Sequence, residues 1–178
     1  MAFLQIDYKS EALMRGVNIK VILPSDGMAG KWEPPYKTLY LLPGYSATAT
    51  ELITYLGLRG QSELKGIAIV LPDGENLFYQ DLPDRMTFYS TYVGKELVEV
   101  TRKMLPLSTK REDTFIGGIS MGGYGALYNG FKYRDTFSKV VAFSPASDAY
   151  MLLAEEDAPG FSRKQFEGIF GSKEAYYG

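Results

Sequence analysis

Ser120 has the setting in this sequence that best suits nucleophilic chemistry. It lies in "DTFIGGISMGGYGAL" (113–127), where Gly118 and Gly122 flank it in the pattern G-x-S-x-G. An apolar run precedes the serine and a predicted helix follows it, which is the context of a nucleophile elbow. Glycines are needed there because a sharp strand-to-helix turn leaves no room for neighbouring side chains. The alternative is that Ser120 only caps the helix.

Two backbone N–H groups are candidates to stabilise negative charge on a reacting carbonyl oxygen. Met121 begins the predicted helix, so its N–H lies beside the serine, where the helix dipole favours an anion. Tyr45 is the predicted second donor, because "LLPGYSAT" ends the third predicted strand with a turn at Pro43-Gly44. The oxyanion loop of folds with such an elbow follows that strand. A plain strand-ending turn is the alternative.

The chain contains no histidine and no cysteine. A nucleophilic serine ordinarily transfers its proton to a histidine, and no other residue type here is a base near neutral pH. Asp148 follows the strand after the elbow and is a candidate acid, although capping of the next helix is the role that its pattern favours. A zinc site would need carboxylates alone, so no metal is expected.

The surrounding elements alternate between apolar strands and helices. Strands are predicted at 3–8, 16–24, 37–45, 66–74, 113–120 and 138–147, and helices at 48–66, 87–106, 121–133 and 163–178. The first two strands are expected at one edge of the sheet, antiparallel to each other. In the second helix, Val93, Leu97, Val100 and Met104 form one apolar stripe. The pattern predicts the α/β class, with a mostly parallel sheet between helices. The polar and aromatic loop at 72–81 either lines a substrate cleft or is an ordinary surface loop.

The amino-acid composition limits the classes of binding partner that can be expected. Nineteen basic and 21 acidic residues give a net charge of −2, with no long run of either sign. This excludes a basic footprint for nucleic acid and a polybasic membrane patch. No signal peptide or membrane-spanning stretch is recognisable, so we expect a cytoplasmic protein. At 178 residues the chain fits a single domain, 1–178.

Four segments, "TLYLLPGYSATAT", "VLPDGENLFYQD", "DTFIGGISMGGYGAL" and "KYRDTFSKVVAFSPA", resemble the esterase D-like serine esterases. The resemblance is strongest to the bacterial tributyrin esterase branch, related to S-formylglutathione hydrolases, and it runs over essentially the whole chain. It implies an α/β-hydrolase fold and hydrolysis of small-molecule, short-chain acyl esters by a Ser–Asp–His triad, with no cofactor.

The resemblance also assigns roles to individual residues. Ser120 corresponds to the nucleophile, Tyr45 and Met121 supply the oxyanion-hole N–H groups, and Gly118 and Gly122 are the elbow glycines. Pro43 stands where the family usually has a histidine in the oxyanion loop. That histidine is not the catalytic one, so the replacement leaves the backbone donor available and alters at most the geometry of the loop.

The missing histidine is explained if the catalytic acid and histidine lie beyond this chain. In this fold the triad residues occur in the order serine, acid, histidine, and family members continue well past the last residue here. We therefore expect a chain that lacks the C-terminal strands, has very low activity by itself and forms homo-oligomers through exposed apolar surface. The alternatives are an inactive scaffold that binds an acyl ligand or a protein partner, and an acyltransferase of the same fold.

Overall fold

Six strands form one mixed sheet in the computed structural model, which describes residues 1–26, 32–148, 150 and 162–177. The strands of the chain are β1 (Ala2–Ser10), β2 (Arg15–Leu23), β3 (Lys37–Leu42), β4 (Ile67–Pro72), β5 (Asp81–Leu82), β6 (Thr87–Phe88), β7 (Thr114–Ile119) and β8 (Lys139–Phe143). The order across the large sheet is β1-β2-β4-β3-β7-β8, and β5 pairs with β6 separately. β1 and β2 run antiparallel at one edge, while β3, β4, β7 and β8 are parallel to one another. The predicted α/β class and antiparallel edge are confirmed.

Helices connect the parallel strands. In chain order they are α1 (Ala49–Tyr55), α2 (Leu58–Lys65), α3 (Tyr89–Thr91), α4 (Leu97–Met104), α5 (Met121–Lys132), α6 (Arg163–Phe170) and α7 (Lys173–Tyr177). A π-helical segment, Tyr92–Glu96, joins α3 to α4, so the backbone is helical from Tyr89 to Met104. Within the described ranges, none of these helices is both long and apolar enough to span a membrane.

Two of the predicted helices are interrupted. The prediction of one helix over 48–66 is wrong, because Gly57 adopts a left-handed conformation (φ 59°) between α1 and α2. Thr48 caps α1 in a capping box with Glu51. The predicted helix at 163–178 divides at Gly171, which also has a positive φ of 81°. Glycine tolerates both conformations at little steric cost.

The predicted apolar stripe of the second helix is only half right. Val93 and Leu97 are fully buried, but Met104 is 46% exposed. Beyond Leu97 the buried positions are instead Val98 and Thr101. The π-helical segment is the cause, because its wider turn rotates the residues that follow it relative to an ideal α-helical stripe.

Helices cover both faces of the large sheet. On one face, side chains of α1, α2 and three strands form a buried cluster, Ile22, Leu41, Ala49, Leu52, Leu58, Ile69 and Leu71. On the other face, the hydroxyl of Tyr40 lies 2.8 Å from that of Thr101 on α4, and α5 packs against β7 and β8. Burial on both faces explains why β3 and β4 read as continuous apolar runs.

Part of the first face remains open. Apolar side chains of β3, β4, β7 and β8 line a cavity of about 470 Å³ beside α2. On β8, Val141 and Phe143 are 38% and 55% exposed. This exposed apolar surface at the end of the sheet is of the kind that the sequence led us to expect, while the homo-oligomer itself stays a prediction.

The chain divides into two compact units, Met1–Pro145 and Ala146–Gly178. The large sheet belongs to the first unit. In the second, Ser162 caps α6 through a capping box with Gln165, and the ring of Tyr150 contacts those of Tyr176 and Tyr177. The expectation of a single domain over 1–178 remains a prediction.

Candidate active site

Ser120 lies between β7 and α5 in a strained backbone conformation, with φ 56° and ψ −116°. Its N–H donates to the carbonyl oxygen of Phe143 on β8 (3.0 Å), and its own carbonyl accepts from the N–H of Tyr124 (3.0 Å). The backbone is therefore held on both sides of the turn, while the residue itself is exposed. Its side chain makes no capping hydrogen bond to α5, which leaves the hydroxyl available for other chemistry.

The two elbow glycines are required by contacts between backbone atoms. A Cβ added at Gly118 would lie 2.0 Å from the carbonyl oxygen of Gly122. A Cβ added at Gly122 would lie 2.0 Å from the carbonyl oxygen of Leu42 on β3. Because both obstacles are backbone atoms rather than flexible side chains, any larger residue would force the strand and helix apart.

The loop after β3 reaches the elbow because β3 and β7 are parallel neighbours, with Leu42 opposite Gly118. A Cβ at Gly44 would lie only 3.5 Å from the Cβ of Ser120. Tyr45, the predicted second donor, follows immediately and is half-buried. Met121 is the first residue of α5, so its N–H has no acceptor one turn earlier in that helix. The fold thus brings the residues predicted from the sequence to one place.

The segment between β4 and β5 (residues 73–80, the 73–80 loop) holds the loop after β3. It is not an ordinary surface loop, because Phe78 and Tyr79 are each only 1% exposed. The alternative, that it lines a substrate cleft, stays a prediction. Three side chains of the loop make the contacts: Asp73 Oδ1 accepts from Ala49 N–H (2.7 Å), Asn76 Oδ1 from Ser46 N–H (2.7 Å), and Tyr79 Oη donates to the Pro43 carbonyl (2.8 Å). Consecutive aromatic residues in an otherwise polar loop were the signal for this packing.

Aromatic rings form a wall beside the elbow. Phe78 contacts Tyr45 and Tyr124, with ring centroids 6.3 Å and 5.6 Å apart, and Tyr124 stacks on Tyr128 at 6.1 Å. The amide of Gln80 donates to the hydroxyl of Tyr124 (2.7 Å), which fixes the orientation of that ring. The wall offers an apolar surface with a polar rim to a small ligand.

Buried tyrosines in this region are neutral hydrogen-bonding groups. Burial raises the pKa of Tyr79 well above its usual range. Burial also raises the pKa of Tyr89 to about 12, and the guanidinium of Arg15 donates to its hydroxyl (2.7 Å). Phenols with such pKa values stay protonated at neutral pH, so neither tyrosine can accept a proton from a nucleophile.

Asp148, the candidate acid, belongs to the second unit. Tyr177 donates a hydrogen bond of 2.6 Å to its carboxylate, and this bond raises the pKa of the tyrosine to about 12. The segment that Asp148 was predicted to cap, 149–156, lies outside the described residues except for Tyr150. Among the residues that are described, no three acidic side chains come together as a metal site.

The sequence matches a family model described as "Putative esterase" over residues 10–166. It is 40% identical over 151 residues to the acetyl esterase of Caldicellulosiruptor saccharolyticus, a match that covers 82% of this chain and 57% of that protein. Identity to the S-formylglutathione hydrolase of Paracoccus denitrificans is 28% over 192 residues, covering 94% and 63%. The chain therefore spans less than two thirds of the length of these relatives.

Solved structures share the architecture. Fluorophosphonate-binding serine hydrolase F (FphF) of Staphylococcus aureus gives a TM-score of 0.81 at 30% identity, covering 96% of this chain and 66% of that one. The S-formylglutathione hydrolase FrmB of the same organism gives a TM-score of 0.78 at 29% identity, with the same coverage. Both matches cover nearly all of this chain, which confirms the α/β-hydrolase fold.

Proposed function

The chain belongs to the esterase family whose model it matches over residues 10–166, and from that premise we propose that it carries the nucleophile and oxyanion hole of a carboxylic ester hydrolase. One observation carries the proposal. The parallel pairing of β3 with β7 brings the loop of Tyr45 beside the strained turn of Ser120 and Met121. A strained, exposed serine next to two candidate backbone donors suits acyl transfer.

The proposed reaction proceeds through an acyl-enzyme. The Ser120 oxygen attacks the carbonyl carbon of the ester while its proton passes to a base. The tetrahedral oxyanion accepts hydrogen bonds from the N–H groups of Met121 and Tyr45. The carbon–oxygen bond of the ester then breaks and the alcohol leaves with that proton. Water then attacks the acyl carbon, the bond between that carbon and the Ser120 oxygen breaks, and the carboxylic acid is released while Ser120 regains its proton.

The base is the part of the machinery that these 178 residues do not supply. They contain no histidine, and the buried Tyr79 and Tyr89 remain protonated at neutral pH. We propose that a histidine and its carboxylate partner come from polypeptide outside this sequence, following the order serine, acid, histidine of the fold.

Short-chain acyl esters are the proposed substrates. A relative that shares 40% identity with this chain is an acetyl esterase. In the aromatic wall, the half-buried rings of Tyr124 and Tyr128, supported by the buried ring of Phe78, provide an apolar surface against which a small acyl or alcohol group can pack. Rates for p-nitrophenyl acetate, butyrate and decanoate are expected to fall in that order.

The test compares Ser120→Ala with the unaltered protein in the full product of the gene. Hydrolysis of p-nitrophenyl acetate should fall by at least about 10³-fold. A fluorophosphonate probe should add its mass to Ser120 in the unaltered protein and to no serine in the variant.

Ser144→Ala is the matched control, since Ser144 is also an exposed serine with positive φ (42°), directly after the neighbouring strand β8. It should leave both the rate and the labelling unchanged. Activity that survives Ser120→Ala would overturn the assignment. Binding of an ester without turnover would favour an inactive scaffold, and preferential ester formation with an added alcohol would favour an acyltransferase.

A further inference from the structure

We propose that Tyr79 is a positioning residue that sets the direction of the second oxyanion-hole donor, Tyr45 N–H. This inference rests on the proposed function and adds to it a residue that never touches the substrate. Tyr79 lies in the 73–80 loop, and three strands, β5, β6 and β7, separate it from Ser120 along the chain. Its hydroxyl contacts the loop after β3, while its ring and its backbone carbonyl both contact α5.

The hydroxyl of Tyr79 holds one peptide group of the oxyanion loop. It donates to the carbonyl oxygen of Pro43 at 2.8 Å, and the bond is fully buried. Opposite it, the same carbonyl lies against α5, since a Cβ at Gly122 would be only 2.5 Å from that oxygen. The Pro43 carbonyl is therefore fixed between the phenol and the helix.

Fixing this carbonyl restricts the donor that follows. The peptide group between Pro43 and Gly44 is planar, so the direction of the carbonyl determines that of the Gly44 N–H. The next peptide carries the Tyr45 N–H, and its carbonyl, that of Gly44, accepts from Ala47 N–H (3.2 Å). The torsions of Gly44, a residue with wide conformational freedom, connect the two peptides, so both must be held to fix the direction of Tyr45 N–H. Without the Tyr79 hydroxyl only the second would be held, and we expect Tyr45 N–H to sample a wider range of directions.

The ring and carbonyl of Tyr79 join this loop to the helix that carries the first donor. A Cβ at Gly125 of α5 would lie 2.4 Å from Tyr79 Cδ2, so the ring rests directly on the helix backbone. The amide of Asn129 on α5 donates to the Tyr79 carbonyl (3.2 Å) and to that of Gly125 (2.9 Å). Tyr79 is thus held against α5, which begins at Met121, while its hydroxyl holds the loop of Tyr45.

The backbone of Tyr79 is itself strained, with φ 56°, next to Phe78 at 54°. Positive φ angles at two consecutive non-glycine residues are energetically unfavourable, and they persist only where surrounding contacts enforce them. Burial also keeps the phenol protonated, with its pKa well above the usual range, so that it donates at every physiological pH. Tyr79 therefore holds the loop that carries the Tyr45 N–H at a fixed position relative to α5, the helix that begins with the Met121 N–H.

The first test is Tyr79→Phe in the full gene product, with Tyr40→Phe as the matched control. Tyr40 is also fully buried with one hydroxyl contact, to Thr101 at 2.8 Å, on the far side of β3 from the open apolar cavity. Both variants should lose similar stability. Only Tyr79→Phe should lower kcat, by about tenfold with KM within about twofold, because donor direction matters most in the transition state.

A second variant approaches the same hydroxyl from another side. A Cβ at Gly74 would lie 2.3 Å from Tyr79 Oη, so Gly74→Ala should displace the phenol and lower kcat by a similar factor. In the Tyr79→Phe background the contact with Oη is gone and the nearest ring atom, Cζ, lies 2.9 Å from the added Cβ, so Gly74→Ala should then lower kcat by clearly less than it does in the unaltered protein. Such non-additivity identifies the hydroxyl as the shared element.

Amide hydrogen exchange gives a readout that needs no turnover. Tyr79→Phe should accelerate exchange at residues 44–47 at least about tenfold, whereas Tyr40→Phe should not. Unchanged exchange there, or equal kcat losses in the two phenylalanine variants, would overturn the inference while leaving the esterase proposal intact. Activity that survives Ser120→Ala would instead overturn the esterase proposal, and the exchange result would still decide whether Tyr79 orders the loop.

Discussion

The two ends of the parallel strands differ in backbone strain. After the carboxyl ends of β3, β4, β7 and β8, five non-glycine residues have positive φ: Ser46, Phe78, Tyr79, Ser120 and Ser144. In the described segments that lead into the amino ends of the same strands, the residue with positive φ is a glycine, Gly66. The other non-glycine cases, Met14 and Met86, lie in hairpin turns.

The amino end is held by ordinary contacts. Tyr36 exchanges backbone hydrogen bonds with the segment around Ser108, at 2.9 Å and 2.8 Å. Asp113 accepts from the hydroxyl of Ser108 (2.8 Å) and pairs with Lys37 at 3.4 Å. None of these groups needs an unusual backbone conformation.

The comparison shows where the chain tolerates backbone strain. Non-glycine residues in left-handed conformations cost of order 1 to 3 kcal/mol each and concentrate at functional sites. At the carboxyl end of the parallel strands, where the candidate nucleophile lies, several residues therefore adopt energetically unfavourable backbone conformations. Hydrogen bonds and close contacts at glycines enforce them. The opposite end contributes stability at no such cost.

The largest expected effect comes from overfilling the strained end. Gly122→Ala places a Cβ 2.0 Å from the Leu42 carbonyl oxygen, so it should destabilise the fold by more than about 3 kcal/mol or prevent folding. Gly60→Ala, in α2 with nothing within 4 Å of its added Cβ, should instead stabilise by about 0.5 to 1 kcal/mol. Urea unfolding followed by circular dichroism measures both. Equal effects at the two glycines would contradict the elbow geometry.

A smaller effect should come from relieving strain at the nucleophile. Ser120→Gly and Ser120→Ala both remove the hydroxyl, but only glycine adopts φ 56° and ψ −116° comfortably. We expect the glycine variant to be more stable than the alanine variant by about 1 kcal/mol. The same pair of substitutions at Ser138, which precedes the amino end of β8, should show glycine as the less stable one. A lower midpoint for Ser120→Gly than for Ser120→Ala would argue against stored strain.

The smallest effect belongs to the amino end. The hydrogen bond from Ser108, together with Lys37, lowers the pKa of Asp113 below its ordinary value of 3.8. A carboxyl with a depressed folded-state pKa contributes stability above its ordinary pKa and loses it as the pH falls through the lowered value. Asp113→Asn should therefore cost less than about 1 kcal/mol at neutral pH, and the difference should vanish in acid.

Thermal unfolding of Asp113→Asn and of the unaltered protein, measured from about pH 2 to about pH 7, gives the difference in their stability at each pH. Asp84→Asn, which alters an exposed carboxyl in the β5–β6 hairpin, is the control for the removal of one surface charge. A difference for Asp113→Asn that grows toward low pH would have the wrong sign for the proposed contacts.

The elbow could be predicted from sequence because its causes are local. The G-x-S-x-G pattern around Ser120 can be read from one short segment, and the clash at Gly118 arises within the same turn, whereas the clash at Gly122 involves Leu42 on the neighbouring strand β3. The antiparallel edge was also predictable, because β1 and β2 follow each other across a short turn. Helix breaks and the rotated stripe of α4 were missed because a glycine conformation and a π-helical turn leave little trace in apolar periodicity.

By itself, the sequence determined the α/β class and predicted the elbow around Ser120, since apolar periodicity and the G-x-S-x-G pattern involve residues near one another in the chain. Only the tertiary structure decided that β3 lies next to β7, and this neighbourhood is what brings Tyr45 to Ser120. The role of Tyr79 was equally hidden. Its hydroxyl bonds to a carbonyl 36 residues away, and no local pattern encodes a contact that exists only after the strands are ordered.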